Sequence, residues 1–351
     1  MGVLLLAIIL QDATKPVQGP PAQLTKEQLI AGFTEYREQF RTLFVRFRCD
    51  LGGKQPATNE VTFAQDGDRR YSGVHARLGE LESRFWSAFN GERSKTLHIA
   101  DHAGTVELGK AEQAEKHEMF LRALHIPRAE TDLAAANDPE PDPPFWLPEG
   151  IKQERYVVLP HQELVDGYWT HVVAARDRDS KDPKASYATF WIAPEQGFVL
   201  VRSERHQGQR PDLLMRERLL DYQSAGPCLV PRTIISEEFN PRLGPGSAPA
   251  RVSRLDVEEI LVGDVPQEVF DPIFPPGTRV LDLISGASYT IPGDWTENID
   301  LLPQEAKRKL RDFQYRMEHG AWYQRATVWW MAGSLLLAVG LIAAWRLWRR
   351  S

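Results

Sequence analysis

Two groups of polar side chains in this sequence have residue types that metal binding or acid–base chemistry requires. His98 and His102 are four residues apart, which on a helix would place both imidazoles on one face, where they could share a metal ion. The surrounding pattern predicts a strand followed by a turn, in which the two rings would not converge. Asp66 and Asp68 could form an acid pair, but the DGD sequence around Gly67 is typical of a turn. The sequence therefore favours hydrogen-bonded or solvated histidines and ordinary turn carboxylates.

The sequence lacks the motifs of common enzyme classes. It contains no GxSxG nucleophile elbow, no phosphate-binding P-loop and no HExxH zinc motif. Cys49 has no histidine beside it and lies on the apolar side of an alternating segment, which does not favour a reactive thiol. We predict a protein without catalysis, metal or cofactor. An enzyme whose site is assembled from distant residues is the alternative.

Composition and cysteine usage narrow the function classes further. The 351 residues have a formal net charge of −6 and an isoelectric point near 5.9, which does not favour a nucleic-acid-binding protein. Cys49 and Cys228 are the only cysteines, and neither belongs to a CxxC pair, so a structural zinc site is not indicated. In an exported domain they could form a disulfide, although two separate core thiols are the interpretation that we favour.

Both ends of the chain are hydrophobic. Residues 326–345 carry no charge over 20 positions and span about 30 Å as a helix, the thickness of the hydrocarbon core of a membrane. Tryptophans near both ends of this segment favour the membrane interfaces. We predict a transmembrane helix, with a buried core helix or a cleaved C-terminal sorting signal as alternatives. Residues 1–23 combine the apolar run Val3–Leu10, which resembles a secretory signal, with a proline-rich linker.

The orientation of the predicted span depends on which charges are counted. The basic tail 346–351 indicates a cytoplasmic C-terminus, whereas the basic residues between 307 and 325 indicate the opposite. The signal-like N-terminus favours the first orientation. We expect a single-pass protein of the bacterial cell envelope whose folded domain lies outside the cytoplasm, with residues 296–325 as a charged stalk helix.

The segment between the two ends predicts a mainly β domain. Thr25 and Gln28 have the spacing of a capping box before a helical pattern, and alternation from Leu43 to Cys49 predicts a strand. Asn90-Gly91 is typical of a type I′ hairpin turn. Residues 127–150 are rich in proline and predict a long loop. Further strands are predicted at Arg155–Leu159, Tyr168–Ala174, Tyr187–Ile192, Phe198–Glu204, Leu213–Tyr222, Leu229–Glu237 and Arg251–Val262.

Several motifs resemble one family of envelope proteins. They are DGDRRY at 66–71, ELVDGYW at 163–169, FWIAPEQGFVLVRSE at 190–204, LVPRTI at 229–234 and VPQEVFDPIFPPGTRVLD at 265–282. In this order they are similar to the LolA/RseB-type domains of the outer-membrane lipoprotein carrier superfamily, in a large, membrane-anchored variant. The resemblance implies a mainly β (α+β) domain over residues 24–295. Its expected architecture is a curved antiparallel half-barrel with helices over the concave face.

In that family the hollow accepts acyl chains or other apolar groups, so large inward side chains are the candidate ligand contacts. The alternative for each is ordinary packing against the helices. The resemblance implies a tethered binding protein for a lipid or a lipoprotein acyl chain. An RseB-like stress sensor that acts through an envelope protein partner is the second hypothesis. The candidate residues are Val45, Phe47, Phe63, Phe89, Trp169, Phe190 and Ile192.

Overall fold

The computed structural model describes residues 20, 22–53, 56–109, 120, 123–124, 147–175, 186–207, 212–244, 246–296 and 302–318. The chain divides into two compact units. The first unit comprises Met1–Glu38, Asp138–Ser224 and Cys228–Ala250, and the second comprises Gln39–Asn137, Ala225–Pro227 and Arg251–Ser351. The first and last hydrophobic segments, residues 1–19 and 319–351, lie outside the described residues.

Strands dominate both units, so the mainly β prediction is confirmed. They are β1 (Thr42–Leu51), β2 (Ala57–Asp66), β3 (Arg69–Leu78), β4 (Leu81–Phe89), β5 (Arg93–His98), β6 (Ala103–Leu108), β7 (Tyr156–Val165), β8 (Tyr168–Ala175), β9 (Ser186–Ala193), β10 (Val199–Gln207), β11 (Asp212–Ala225), β12 (Cys228–Glu238), β13 (Arg251–Val262), β14 (Arg279–Asp282) and β15 (Ala287–Thr290). The described helices are α1 (Lys26–Glu38), α2 (Leu147–Lys152) and α3 (residues 304–318).

The strand order differs between the two units. In the second unit it is β15-β14-β6-β5-β4-β3-β2-β1-β13, and in the first unit it is β12-β11-β10-β9-β8-β7. The strands from β1 to β6 and from β7 to β11 pair antiparallel with their neighbours, as predicted, and so do β1 with β13 and β14 with β15. By contrast, β14 runs parallel to β6, with Val280 beside Gly104. A long connection therefore returns the chain to the edge of the second unit after β13.

The capping-box spacing in the sequence correctly predicted the start of α1. The Thr25 backbone N–H donates to Gln28 Oε1 over 2.9 Å, and the Gln28 backbone N–H donates to Thr25 Oγ1 over 3.2 Å, which confirms the capping box. Gly32 lies in the middle of this helix because the Phe198 ring occupies the space beside it. A Cβ at residue 32 would lie 2.1 Å from Phe198 Cζ.

The Asn90-Gly91 turn is not of the predicted type. Three residues separate β4 from β5, and Phe89 pairs with Ser94. Gly91 has a φ of 103°, but Asn90 has no positive φ, so the two-residue type I′ prediction is wrong. The Asn90 side chain instead accepts hydrogen bonds from the backbone N–H groups of Glu92 and Arg93. This local bond competes with the tighter turn.

One side of α3, which lies within the predicted charged stalk 296–325, is buried. Leu310, Gln314 and Glu318 are 7%, 2% and 8% exposed, and they follow the four-residue spacing of one helical stripe. Gln314 Nε2 donates to the Phe274 carbonyl oxygen over 3.0 Å. Leu310 belongs to a buried hydrophobic cluster, whose other members are Leu97, Val106, Phe274, Val280 and Ile291.

None of the helices in the described part of the chain has both the length and the apolar character of a membrane crossing. The predicted transmembrane segment 326–345 and the signal-like segment 1–23 fall outside that part almost entirely, so both remain predictions. Most of the proline-rich segment 127–150 also lies outside it.

Candidate functional site

Four of the candidate ligand contacts lie on one face of the second unit. Val45 pairs directly with Phe63 across β1 and β2, and Phe47 follows Val45 by two residues, so the three side chains point to the same side. The pairs Phe63–Ser72 and Ser72–Ser87 carry this face across β3 to β4, where Phe89 shares it. All four candidates are buried, with exposed fractions between 0% and 6%.

The same face becomes polar at the end of β2 and across β3, β4 and β5. Ser72, Ser87 and Thr96 form a row across β3, β4 and β5, and all three are buried. Gln65 and Arg70 pair beside this row. Two oxygens on this face, Ser72 Oγ and Gln65 Oε1, are buried and have no hydrogen-bond partner among the residues that the structure describes. We call this surface, defined by the four candidates and these five polar residues, the amphipathic face.

Phe120 covers part of the apolar half of this face. Its ring is stacked on that of Phe47, with centroids 6.2 Å apart and planes inclined by 26°. Phe120, Ala123 and Leu124 are the described residues of the segment 110–146, and all three are buried.

The other three candidates share a face of the first unit. Ile192 pairs with His171 and Phe190 pairs with Val173, and Trp169 lies two residues before His171 on β8. Phe190 and Ile192 are buried, whereas Trp169 is partly exposed. The Phe190 ring contacts Tyr156 edge-to-face at 5.3 Å. The seven candidates thus fall into a set of four and a set of three in different units.

Helices close the face of the first unit. A Cβ added to Gly150 of α2 would lie 2.3 Å from the Tyr156 ring, so α2 packs directly on the residue that contacts Phe190. The carboxylate of Glu149 on α2 accepts two hydrogen bonds from Arg37 of α1, with an N–O distance of 2.9 Å. This arrangement fits the alternative of an ordinary core for the candidates of the first unit.

The sequence interpretation missed a cluster of charged side chains on the first unit. They line an open cleft of about 520 Å³. The sequence does contain a signal for this cluster. Charged residues recur at every second position within β10 and β11, which places their side chains on one side of each strand. The lining residues are Glu163, Leu164, Val165, Asp166, Arg202, Arg216, Arg218 and Glu237.

Glu204 organises the basic part of this cluster. Its Oε1 accepts hydrogen bonds from Arg202 and from Arg216 Nε, the latter over 2.8 Å, and its Oε2 lies 3.1 Å from His206 Nε2. Burial favours the neutral acid, but the bonds from His206, Arg202 and Arg216 outweigh it and lower the pKa of Glu204 to about 2. Arg202 also lies over the Trp191 ring at 4.7 Å.

The histidine and carboxylate pairs have ordinary partners in the structure. The His102 ring stacks on Trp295 with centroids 3.8 Å apart, and the His98 ring stacks on Phe85 at 6.1 Å. Asp66 accepts a hydrogen bond from Thr42 Oγ1 over 3.0 Å. Within the ranges that the structure describes, no group of three histidine, cysteine, aspartate or glutamate side chains could hold a metal ion.

Cys49 and Cys228 are both buried. Burial raises the pKa of each thiol to about 11, which keeps both protonated near neutral pH. The structure therefore has the two core thiols that the sequence favoured.

Comparison with known proteins yields solved structures alone. No family model and no curated protein matches this chain. A DUF1329 family protein from Desulfovibrio piger is 10% identical, with a TM-score of 0.41 over 70% of this chain and 95% of that chain. A LolA superfamily protein from Nitrosomonas europaea is 13% identical, with a TM-score of 0.35 over 71% and 98%. MucB in complex with MucA(peri) is 9% identical, with a TM-score of 0.22 over 67% and 94%.

The LolA superfamily, which the sequence motifs resemble, thus recurs among the similar solved structures. Because each of these TM-scores is below 0.5, function has to be inferred from the residues of this chain itself.

Proposed function

We propose that this chain is a binding protein of the bacterial cell envelope that holds an amphiphile, a lipid or a lipoprotein acyl chain, against its amphipathic face. The observation that supports this proposal is a pair of buried oxygens, Ser72 Oγ and Gln65 Oε1, beside a buried apolar surface. Neither oxygen has a hydrogen-bond partner in the described part of the chain. A buried polar atom without a hydrogen bond destabilises a fold by about 1–3 kcal/mol. A ligand that carries both polar and apolar groups would offset this cost.

The two halves of the face match the two parts of an amphiphile. An acyl chain placed against Val45, Phe47 and Phe63 gains about 0.8 kcal/mol for each CH₂ that leaves water. The Ser72 hydroxyl can donate a hydrogen bond to an ester or head-group oxygen, and Gln65 Oε1 can accept one from a hydroxyl or ammonium group. This chemistry is binding rather than catalysis. Regulation through a protein partner remains the second hypothesis from the sequence.

Binding of a fluorescent fatty acid to the delipidated full-length protein tests this proposal. We expect saturable binding, which the isosteric substitution Val45→Thr weakens about tenfold. The new hydroxyl lies in the apolar half, where an acyl chain offers it no hydrogen bond. Val45 is fully buried and pairs with Phe63.

Val173→Thr is the matched control. Val173 is equally buried and pairs with Phe190 on the closed face of the first unit, so the same substitution should leave the affinity unchanged. A flat fluorescence response of the unsubstituted protein, or equal loss of affinity in both variants, would contradict the proposal.

We also propose that the C-terminal segment anchors the chain, with the folded part outside the cytoplasm. Outside its buried stripe, α3 exposes four basic residues a short distance before the predicted span 326–345. Basic side chains near a bilayer surface attract anionic head groups with about 1 kcal/mol each. The four residues are Arg308, Lys309, Arg311 and Arg316.

Carbonate extraction of membranes and protease treatment of spheroplasts measure this anchoring. We expect the full-length chain to stay in the membrane pellet after extraction, and a chain that ends at residue 318 to be released. The folded part should be digested from the outside of spheroplasts. Release of the full-length chain by carbonate would disprove the proposed membrane anchor. Protection of the folded part from protease would show that it lies on the cytoplasmic side.

A further inference from the structure

The charged cleft of the first unit has an acidic side and a basic side. Asp166 and Glu163 come from β7 and the turn that follows it, whereas Arg202, Arg216 and Arg218 come from β10 and β11. Glu237 of β12 completes the lining, so three carboxylates and three guanidinium groups face the same space.

Most of these charges already have partners. Arg202 and Arg216 both donate to Glu204, which lies in the same cluster. Glu163 accepts a hydrogen bond from Trp191 Nε1 over 2.8 Å, and its other oxygen lies 3.1 Å from His161 Nε2. These groups form the fixed frame of the cleft.

Arg218 and Asp166 are different. Within the described ranges, no carboxylate lies within 4 Å of the Arg218 guanidinium, and the buried Arg218 Nε has no hydrogen-bond partner. Asp166 lies in the turn between β7 and β8 with a φ of 49° and is exposed, and the described residues offer it no cation within 4 Å. Two opposite charges thus border one cleft without forming an ion pair with each other.

The register makes the position of Arg218 unfavourable without a ligand. Arg218 pairs directly with Arg202 on the neighbouring strand, and like charges at directly opposed positions destabilise a sheet. Glu204 neutralises Arg202 but not Arg218. An anion beside Arg218 would relieve this repulsion. The three carboxylates of the lining would repel an anion that carried no positive charge of its own.

We propose that this cleft binds a zwitterionic group whose anion contacts Arg218 and whose ammonium contacts Asp166. Phosphoethanolamine, free or as a lipid head group, is the simplest compound with this chemistry. A phosphate can accept two parallel hydrogen bonds from one guanidinium group, and a primary ammonium can donate to a carboxylate. This site lies in the first unit and is separate from the amphipathic face of the second.

Calorimetric titration of the full-length protein in detergent with O-phosphoethanolamine tests the proposal. We expect it to bind more tightly than either inorganic phosphate or ethanolamine, because each of these satisfies one of the two charges. Arg218→Gln and Asp166→Asn should each weaken binding tenfold or more, since a hydrogen bond to a charged group contributes about 1.5–3 kcal/mol. Arg232→Gln, which changes an exposed arginine of β12, is the matched control and should bind normally.

Further probes separate the source of the ligand and the two proposed sites. Binding of a short-chain phosphatidylethanolamine that both variants weaken, with no binding of O-phosphoethanolamine, would assign the site to a lipid head group. Val45→Thr should leave O-phosphoethanolamine affinity unchanged, so the two sites can fail independently. Equal affinity for inorganic phosphate, unchanged affinity in Arg218→Gln with native circular dichroism, or no binding of any probe would overturn the proposal.

Discussion

Replacing Lys95 with alanine should destabilise the second unit by about 3–5 kcal/mol. Lys95 Nζ lies 2.7 Å from Asp271 Oδ1 and 2.9 Å from Glu318 Oε1, and the Lys95 and Glu318 side chains are each only 6% exposed. The contact with Glu318 is an ion pair without hydrogen-bond geometry. Removal of the lysine would leave a buried carboxylate without its ion-pair partner, which accounts for the large effect.

The loss should be concentrated in the last turns of α3, because Glu318 lies on the same buried stripe as Leu310 and Gln314 and contacts Lys95 there. Hydrogen exchange of the full-length protein should show faster exchange for residues 310–318, together with a lower denaturant midpoint for the second unit. Lys309→Ala is the matched control. Lys309 pairs with Glu305 over 2.9 Å, but both side chains are at least 70% exposed, so its loss should cost no more than about 0.5 kcal/mol.

A double substitution separates charge from packing in this prediction. Lys95→Met combined with Glu318→Leu removes both charges, and a buried ion pair can often be replaced by apolar residues of similar volume at little cost. We therefore expect the double variant to be more stable than Lys95→Ala alone. A single variant that loses less than about 1 kcal/mol, or a double variant that is no better, would show that the ion pair does not hold α3 in place.

Acid should remove about 3 kcal/mol of stability from the first unit between about pH 4.5 and pH 2. Burial opposes ionisation of Glu204, but bonds with His206, Arg202 and Arg216 lower its pKa from 4.5 to about 2. In the unfolded chain the carboxylate takes up its proton first, so its contribution is complete above pH 4.5 and disappears as the pH falls to about 2. A change from 4.5 to about 2 corresponds to about 3 kcal/mol.

Chemical unfolding of the full-length protein, followed by hydrogen exchange in β10 and β11 across this pH range, measures the effect. Glu204→Gln should lower stability at neutral pH and flatten the pH dependence, because the titrating group is gone while Arg202 and Arg216 remain. Glu195→Gln changes an exposed glutamate that follows β9 and should leave the profile intact. If Glu204→Gln and the unsubstituted protein lost stability in parallel, Glu204 would not be the group responsible.

Local patterns in the sequence predicted the elements well. Arg251–Val262 was predicted as a strand and forms β13 with the same bounds, and the capping box of Thr25 and Gln28 is present. These features depend on residues within a few positions of one another, which the sequence displays directly. The Asn90-Gly91 turn failed because the Asn90 side chain hydrogen-bonds to the following backbone, an interaction that competes with a type I′ turn at the same two residues.

The face of the sheet to which each side chain points could be predicted from the sequence. Which unit it belongs to, and whether it contacts a ligand, could not. Alternation placed Val45, Phe47, Phe63 and Phe89 on one face, and the strand register has them there. The same reasoning grouped them with Trp169, Phe190 and Ile192, which belong to the other unit. That these seven residues contact a ligand stays a prediction. The division into units follows from long-range contacts, which periodicity does not encode.

By itself, the sequence determined the mainly β class, the positions of strands such as β13 and the alternation of apolar side chains, because the two-residue period of a strand and the chemistry of turns are local properties. Only the tertiary structure decided which charges meet. Lys95 and Glu318 are far apart in the chain, and Arg202 faces Arg218 because β10 pairs with β11 in one register. Electrostatic energy depends on distances and burial, and both are set only when the strands have paired and α3 has packed.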